Sequence, residues 1–176
     1  MNKKDTVVFD LDGTLLDTLE DLKNSVNYAM TQCGYPEHTL DEVRRYVGNG
    51  ILLLMQRAIP GGKDDPNFDK AFTLFKEHYG KHCNDTTKPY AGIMELLHTL
   101  KENNIKIAIV SNKADFAVKE LNAIYFKDLI PVAIGEKESE GIRKKPAPDT
   151  VIEALKQLGS TAENSVYIGD SDVDIE

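Results

Sequence analysis

The chain has 176 residues, 41% hydrophobic and 28% charged, so a packed core is expected in one domain or one domain with an insert. Its 29 acidic and 21 basic residues leave a formal charge of -8, which argues against nucleic-acid and anionic-membrane partners, because both need a basic face. The same acidity would repel a phosphorylated ligand unless a metal or a lysine intervenes.

Cys33 and Cys83 lie far apart without a CxxC spacing, which fits a reducing cytoplasm better than a disulfide scaffold. The start, Met1 to Asp5, does not read as a signal peptide, and the longest apolar run, Ile51 to Met55, is too short to span a bilayer. A cytoplasmic protein is expected.

In chain order, Thr6-Val7-Val8-Phe9 reads as a buried parallel strand that stops at Asp10-Leu11-Asp12-Gly13-Thr14. Leu19, Leu22, Val26, Met30 and Cys33 then recur at helical steps, with Asp17 or Thr18 able to cap the start and Gly34 ending it. Thr39 to Glu42 has a capping-box pattern and opens a second helix. Ile51 to Ile59 predicts a short apolar helix, and Phe68, Phe72, Phe75 and Tyr79 share a face of another that starts near Pro66. Residues from about 17 to 84 therefore hold only helices.

After a linker from Asn84 to Gly92, helices alternate with strands. The helices are expected at Ile93 to Asn103, Ala114 to Ile124 and Asp149 to Leu158; the strands at Lys106 to Val110, Val132 to Ile134 and Ser165 to Ile168. Glu136 to Gly141 reads as a charged loop. This alternation predicts a doubly wound parallel sheet, interrupted after its first strand by a helical insert.

In such sheets ligands bind beyond the carboxyl ends of the strands. Those ends present Asp10 and Asp12, then Ser111 and Asn112, then Gly169-Asp170-Ser171-Asp172-Val173-Asp174, with Lys145 ahead of the last helix. Asp10, Asp12, Asp170 and Asp174 together would form an oxygen-only nest that suits Mg2+. A carboxylate nucleophile can form an aspartyl-phosphate, and a second acid can protonate the leaving oxygen and later activate water. Ser111 can donate to phosphoryl oxygens and Lys145 can neutralise their charge.

Asp10-Leu-Asp-Gly-Thr14, Val110-Ser-Asn112, Lys145-Pro-Ala-Pro-Asp149 and Gly169-Asp-Ser-Asp-Val-Asp174 resemble the four ordered motifs of the haloacid dehalogenase superfamily. Tyr46-Val-Gly-Asn-Gly50 followed by Leu54-Met-Gln-Arg57-Ala58 resembles its phosphoglycolate phosphatase branch. The resemblance implies an α/β, Rossmann-like parallel sheet core (1–16 and 85–176) with an inserted α-helical cap domain (17–84). It implies Asp10 as nucleophile and metal ligand, and Asp12 as general acid-base with its carbonyl on the metal. Ser111, Asn112 and Lys145 would hold the phosphoryl group, Asp170 would ligate Mg2+, and Asp174 would support the metal or Lys145. An acid at position 12 favours phosphoester hydrolysis over dehalogenation. Family members continue past the fourth motif with a helix, a strand and a final helix, so C-terminal elements of the core are expected to be missing from a chain ending at Glu176.

Each feature has a plainer reading. Lys145 follows Arg143 and Lys144, so a solvated basic run competes with a phosphate ligand; Asp172 reads as exposed or as a cap. His78 and His82 stand four apart, as a zinc clasp would, but lack a third ligand and read as a helix face. Arg57 could meet a substrate carboxylate or snorkel from its helix. The expectation is an Mg2+-dependent phosphatase acting on a small phosphorylated metabolite, 2-phosphoglycolate first, as monomer or dimer. Its rivals are a sugar-phosphate mutase and a non-catalytic binding protein or inactive fragment.

Overall fold

The structure is a computed structural model and describes residues 4–175. The first half of the chain forms β1 (Thr6–Phe9), β2 (Leu16–Asp17), α1 (Leu19–Gln32), α2 (Leu40–Tyr46), α3 (Ile51–Ala58) and α4 (Phe68–His82). The second half forms β3 (Lys88–Pro89), α5 (Ile93–Glu102), β4 (Lys106–Ala114), α6 (Asp115–Tyr125), β5 (Val132–Glu136), α7 (Asp149–Leu158) and β6 (Ser165–Ile168). The chain divides into two compact units, residues 17–88 and residues 1–16 with 89–176. No helix among the described residues is long and apolar enough to cross a membrane.

In the helical unit the recurring apolar positions become one core, in which Val26, Met30, Met55, Ala71 and Phe75 are fully buried. The capping box forms: Thr39 Oγ1 accepts from Glu42 N at 3.3 Å and Thr39 N donates to Glu42 Oε2 at 2.7 Å. Thr18 stands at the start of α1 without a side-chain capping bond. The unit ends at Lys88 instead of residue 84 because Asp21, buried in α1, accepts from the backbone and hydroxyl groups of both Thr86 and Thr87. Those bonds keep the segment after α4 with the helices. Arg57 donates to Tyr46 O and to Asn49 Oδ1, both at 2.8 Å, so its guanidinium holds the turn before α3. His78 stacks on Tyr28 and His82 and bonds Ser25, while His82 pairs with Asp85, so the two rings sit in a stacked surface row.

In the sheet unit four parallel strands run in the order β5-β4-β1-β6. Because side chains alternate along a strand, each face collects its own apolar set. Phe9, Ile107 and Ile109 pack with Leu97 of α5 and with Val118 and Leu121 of α6. Val8, Ala108, Val110 and Ile134 pack with Ala154 and Leu155 of α7. On β6, Val166 and Ile168 each remain 41% exposed. β4 runs past the expected Val110 to Ala114, with a register irregularity in between, and therefore carries Ser111 and Asn112 itself. β5 reaches Glu136, and a 3-10 turn at Glu138–Glu140 replaces most of the expected charged loop.

Candidate functional site

Every chemically interesting strand end lies at the same edge of the sheet unit, as parallel pairing requires. Asp10 follows β1 and its N–H still donates to Ile168 O of β6 at 2.9 Å. The chain then doubles back: Leu11 O accepts from Leu15 N at 3.0 Å and Leu16 N at 2.9 Å. Leu11, Leu15 and Leu16 are fully buried and anchor this turn. Gly13 has φ +82°, and a Cβ there would stand 2.3 Å from Asp170 Oδ2. Only glycine admits both that backbone and that approach. Thr14 Oγ1 then donates to Asp170 Oδ1 at 3.0 Å, so the Gly13-Thr14 turn receives Asp170.

The two carboxylates of Asp10-Leu11-Asp12 take different cations. Lys145 Nζ lies 3.1 Å from Asp10 Oδ1, and Lys113 Nζ lies 2.8 Å from Asp12 Oδ1. Lys145 also donates to Asp174 Oδ1 at 2.6 Å and to Tyr167 Oη at 2.8 Å, so its three protons have three acceptors. Burial therefore replaces the solvated basic run as the account of Lys145, which is 4% exposed. Arg143 instead forks onto Asp149, and Lys144 bonds Glu138.

Asn112 shares the strand face of Ala108 and Val110, the face covered by α7, and there it meets the segment that leads into α7. Its Nδ2 donates to Lys145 O at 3.0 Å and its Oδ1 accepts from Lys145 N at 2.9 Å. The amide thus sets the backbone from which Lys145 reaches Asp10. Ser111 is buried beside it, its Oγ accepting from Lys113 N at 3.3 Å.

Asp10, Asp170 and Asp174 offer carboxylate oxygens within 4.8 Å of one another. The Asp12 carboxyl is not among that set and sits on Lys113 instead. Ser171 N and Oγ both donate to Asp174 Oδ2, at 2.9 Å and 2.8 Å, which aims the other oxygen at Lys145. A Cβ on Gly169 would fall 2.3 Å from Asp174 Cγ, so this strand end too is closed by a carboxylate. Asp172 is exposed, and its carboxylate accepts from Val173 N at 2.9 Å.

The charges shape each other. Asp10 is pushed up to about 6, first by burial and then by Asp174 and Asp12, with Lys145 pulling the other way. Burial also works against the Asp174 anion, but the Lys145 and Ser171 donors outweigh it and hold its carboxyl below the usual range. Burial, with Asp10 and Asp174 nearby, pushes the Tyr167 phenol up, which keeps it a neutral donor. Its single proton lies between Val110 O at 3.0 Å and Asp174 Oδ1 at 3.1 Å.

Sequence reasoning passed over two of these side chains. Lys113 directly follows Ser111-Asn112, and that adjacency was a readable signal. Tyr167 gave none, because inside Ser165–Ile168 it reads as another core residue.

A parallel α/β domain that gathers acids and buried lysines beyond its strand ends has its candidate site where open sheets of this kind bind ligands. The model of the haloacid dehalogenase-like hydrolase family matches residues 7–176, and the chain belongs to that family. It is 33% identical over 174 residues to a phosphoglycolate phosphatase from Aquifex aeolicus, covering 97% of this chain and 78% of the relative. It is 31% identical over 176 residues to one from Pseudomonas putida, of which it spans only 64%. The crystal structure of a protein assigned as a phosphoglycolate phosphatase, from Lactobacillus delbrueckii subsp. bulgaricus, superposes with a TM-score of 0.88 at 34% identity. That match covers 98% of this chain and 81% of the other. The chain is accordingly a hydrolase of the phosphatase kind.

Proposed function

We propose that the chain hydrolyses a small phosphomonoester, 2-phosphoglycolate before others, through an aspartyl-phosphate on Asp10. The observation that carries this reading is the buried Asp10 carboxylate, 7% exposed, beside the Lys145 ammonium and two further acids. Such a group is poorly solvated, ionised above a pH of about 6, and aimed out of a strand end where a substrate can arrive.

Asp10 attacks phosphorus while the bond to the ester oxygen breaks, and Asp12 gives that oxygen a proton. Asp12 then takes a proton from water as the water attacks phosphorus, which returns Asp10 and releases inorganic phosphate. Lys145 and Ser111 neutralise and hold the phosphoryl oxygens; Lys145 exchanges one of its present acceptors for them. Asn112 acts on Lys145 through its backbone.

The three converging carboxylates are hard oxygen donors and fit Mg2+, with Asp10 and Asp170 as ligands and Asp174 in support. Bound there, the ion would offset the acids' repulsion of the phosphate and polarise the phosphoryl group. The helical unit takes the part of the cap that selects the substrate.

Phosphate release from 2-phosphoglycolate and a panel of sugar phosphates, with and without Mg2+, tests this reading. Release that needs Mg2+ and vanishes in Asp10→Asn is expected. Full activity in that variant, or an isomerised phosphosugar in place of free phosphate, would overturn it.

A further inference from the structure

Lys113 is a second buried lysine that the hydrolysis scheme does not use. Its ammonium bonds Asp12 Oδ1 at 2.8 Å across 101 residues of sequence, and the two side chains are only 3% and 16% exposed. Lysine is rarely this buried without a purpose, and an ion pair taken from water gives back little stability over an apolar pair of the same shape. β4 could have turned an apolar residue inward here, as it does with Ile107 and Ile109.

We propose that Lys113 is a positioning residue that holds the Asp12 carboxylate in line with the leaving oxygen. The inference rests on the reading of Asp12 as the proton donor. Asp12 lies in the turn beyond β1, outside the strand ladder, so backbone pairing leaves its side chain with rotamers to choose from. Lys113 removes that choice. It is anchored near the end of β4, the strand that pairs with β1, and its own N–H is tied to Ser111 Oγ at 3.3 Å. With Oδ1 engaged by the ammonium, Oδ2 is the oxygen left for proton transfer. The two lysines thereby divide the work: Lys145 serves the nucleophile and the phosphoryl group, Lys113 serves proton transfer. A misplacement on the order of 1 Å at such a group costs on the order of 10²-fold in rate.

The division can be read from the leaving group. A p-nitrophenolate departs without a proton, whereas the alkoxide of 2-phosphoglycolate needs one. Single-turnover release of each alcohol would be measured for the wild type, Lys113→Met and Lys113→Arg, each pair of esters on one preparation. In Lys113→Met the alkyl ester should slow by about 10²-fold and the aryl ester by less than about fivefold, with half-saturation little changed. Lys113→Arg should recover part of the alkyl rate.

A partly misfolded preparation lowers both rates together and leaves their ratio alone, so the ratio reports positioning and not folding. If Lys113→Met does not fold, Lys113→Ala, which also removes the ammonium, carries the test through the same ratio. An unchanged ratio, or equal loss on both esters with weaker saturation, overturns the inference and assigns Lys113 to the phosphoryl group or to the fold. Wild-type turnover with an unchanged ratio defeats this inference only. No release from either ester by the wild type defeats the phosphatase reading and this inference with it.

Discussion

Each unit buries an aspartate, and the two are treated in opposite ways. Asp21 of the helical unit is 1% exposed and takes donors from Thr86 N at 3.0 Å, Thr86 Oγ1 at 2.6 Å, Thr87 N at 2.9 Å and Thr87 Oγ1 at 2.8 Å. Burial opposes its charge, yet those neutral donors hold its carboxyl below the usual range. Asp10 of the sheet unit accepts from Leu11 N at 2.7 Å and faces Lys145, but two other acids stand close and its carboxyl is pushed up to about 6. A buried carboxylate whose lone pairs are all taken is a fastener. One left short of donors among like charges keeps a lone pair to react with.

The largest expected effect comes from Asp10→Asn, which should reduce turnover to background and yet stabilise the fold. Because the folded value of Asp10 lies above its unfolded 3.8, its ionisation costs folding free energy at pH 7, and the cost disappears as pH falls from about 6 toward 3.8. Urea unfolding in the absence of metal should show the variant more stable by about 1–3 kcal/mol at neutral pH, with the gap closing near pH 4. A gap independent of pH would break the contrast with Asp21.

Asp21→Ala is next, and its sign is reversed. It leaves four donors without their acceptor and should cost the helical unit about 2–4 kcal/mol. A depressed folded value means that the contribution of Asp21 is present above its unfolded 3.8 and is lost only as pH falls below that. The difference between wild type and variant should therefore persist from pH 7 to pH 4 in the same urea titrations. A difference that fades near pH 6 would show that the threonine donors do not govern Asp21.

The smallest effect sharpens the comparison by removing a single donor. Thr87→Val deletes one hydroxyl that bonds Asp21 and also reaches Cys83 O at 3.1 Å, while the backbone bonds remain. A loss of about 1 kcal/mol is expected by thermal or urea unfolding. A loss as large as that of Asp21→Ala would mean that the threonine packs more than it bonds.

Much of this was legible in sequence because periodicity and punctuation are local. The alternation of strand and helix, the Thr39 capping box and the helix Asp149–Leu158 emerged at their expected positions. So did the acids and the lysine that the structure gathers, since strands of one parallel sheet end on one side whatever their order in sequence. What could not be read locally depends on residues far apart in the chain. The end of the helical unit moved to Lys88 because Asp21 reaches more than 60 residues along the chain to Thr86 and Thr87. The clasp of Asn112 on the Lys145 backbone joins residues 33 apart in the chain, and no local pattern announces it.

The sequence by itself determined which residues stand at strand ends, because hydrophobic period and turn residues set where each element stops. Only the tertiary structure decided how the charges pair: Asp10 with Lys145, Asp12 with Lys113, Asp170 with Thr14, and Tyr167 between Val110 and Asp174. Those choices depend on which strands are neighbours and which face each side chain takes. Burial, which sets the strength and sign of each charge's interaction, exists only once the sheet has formed.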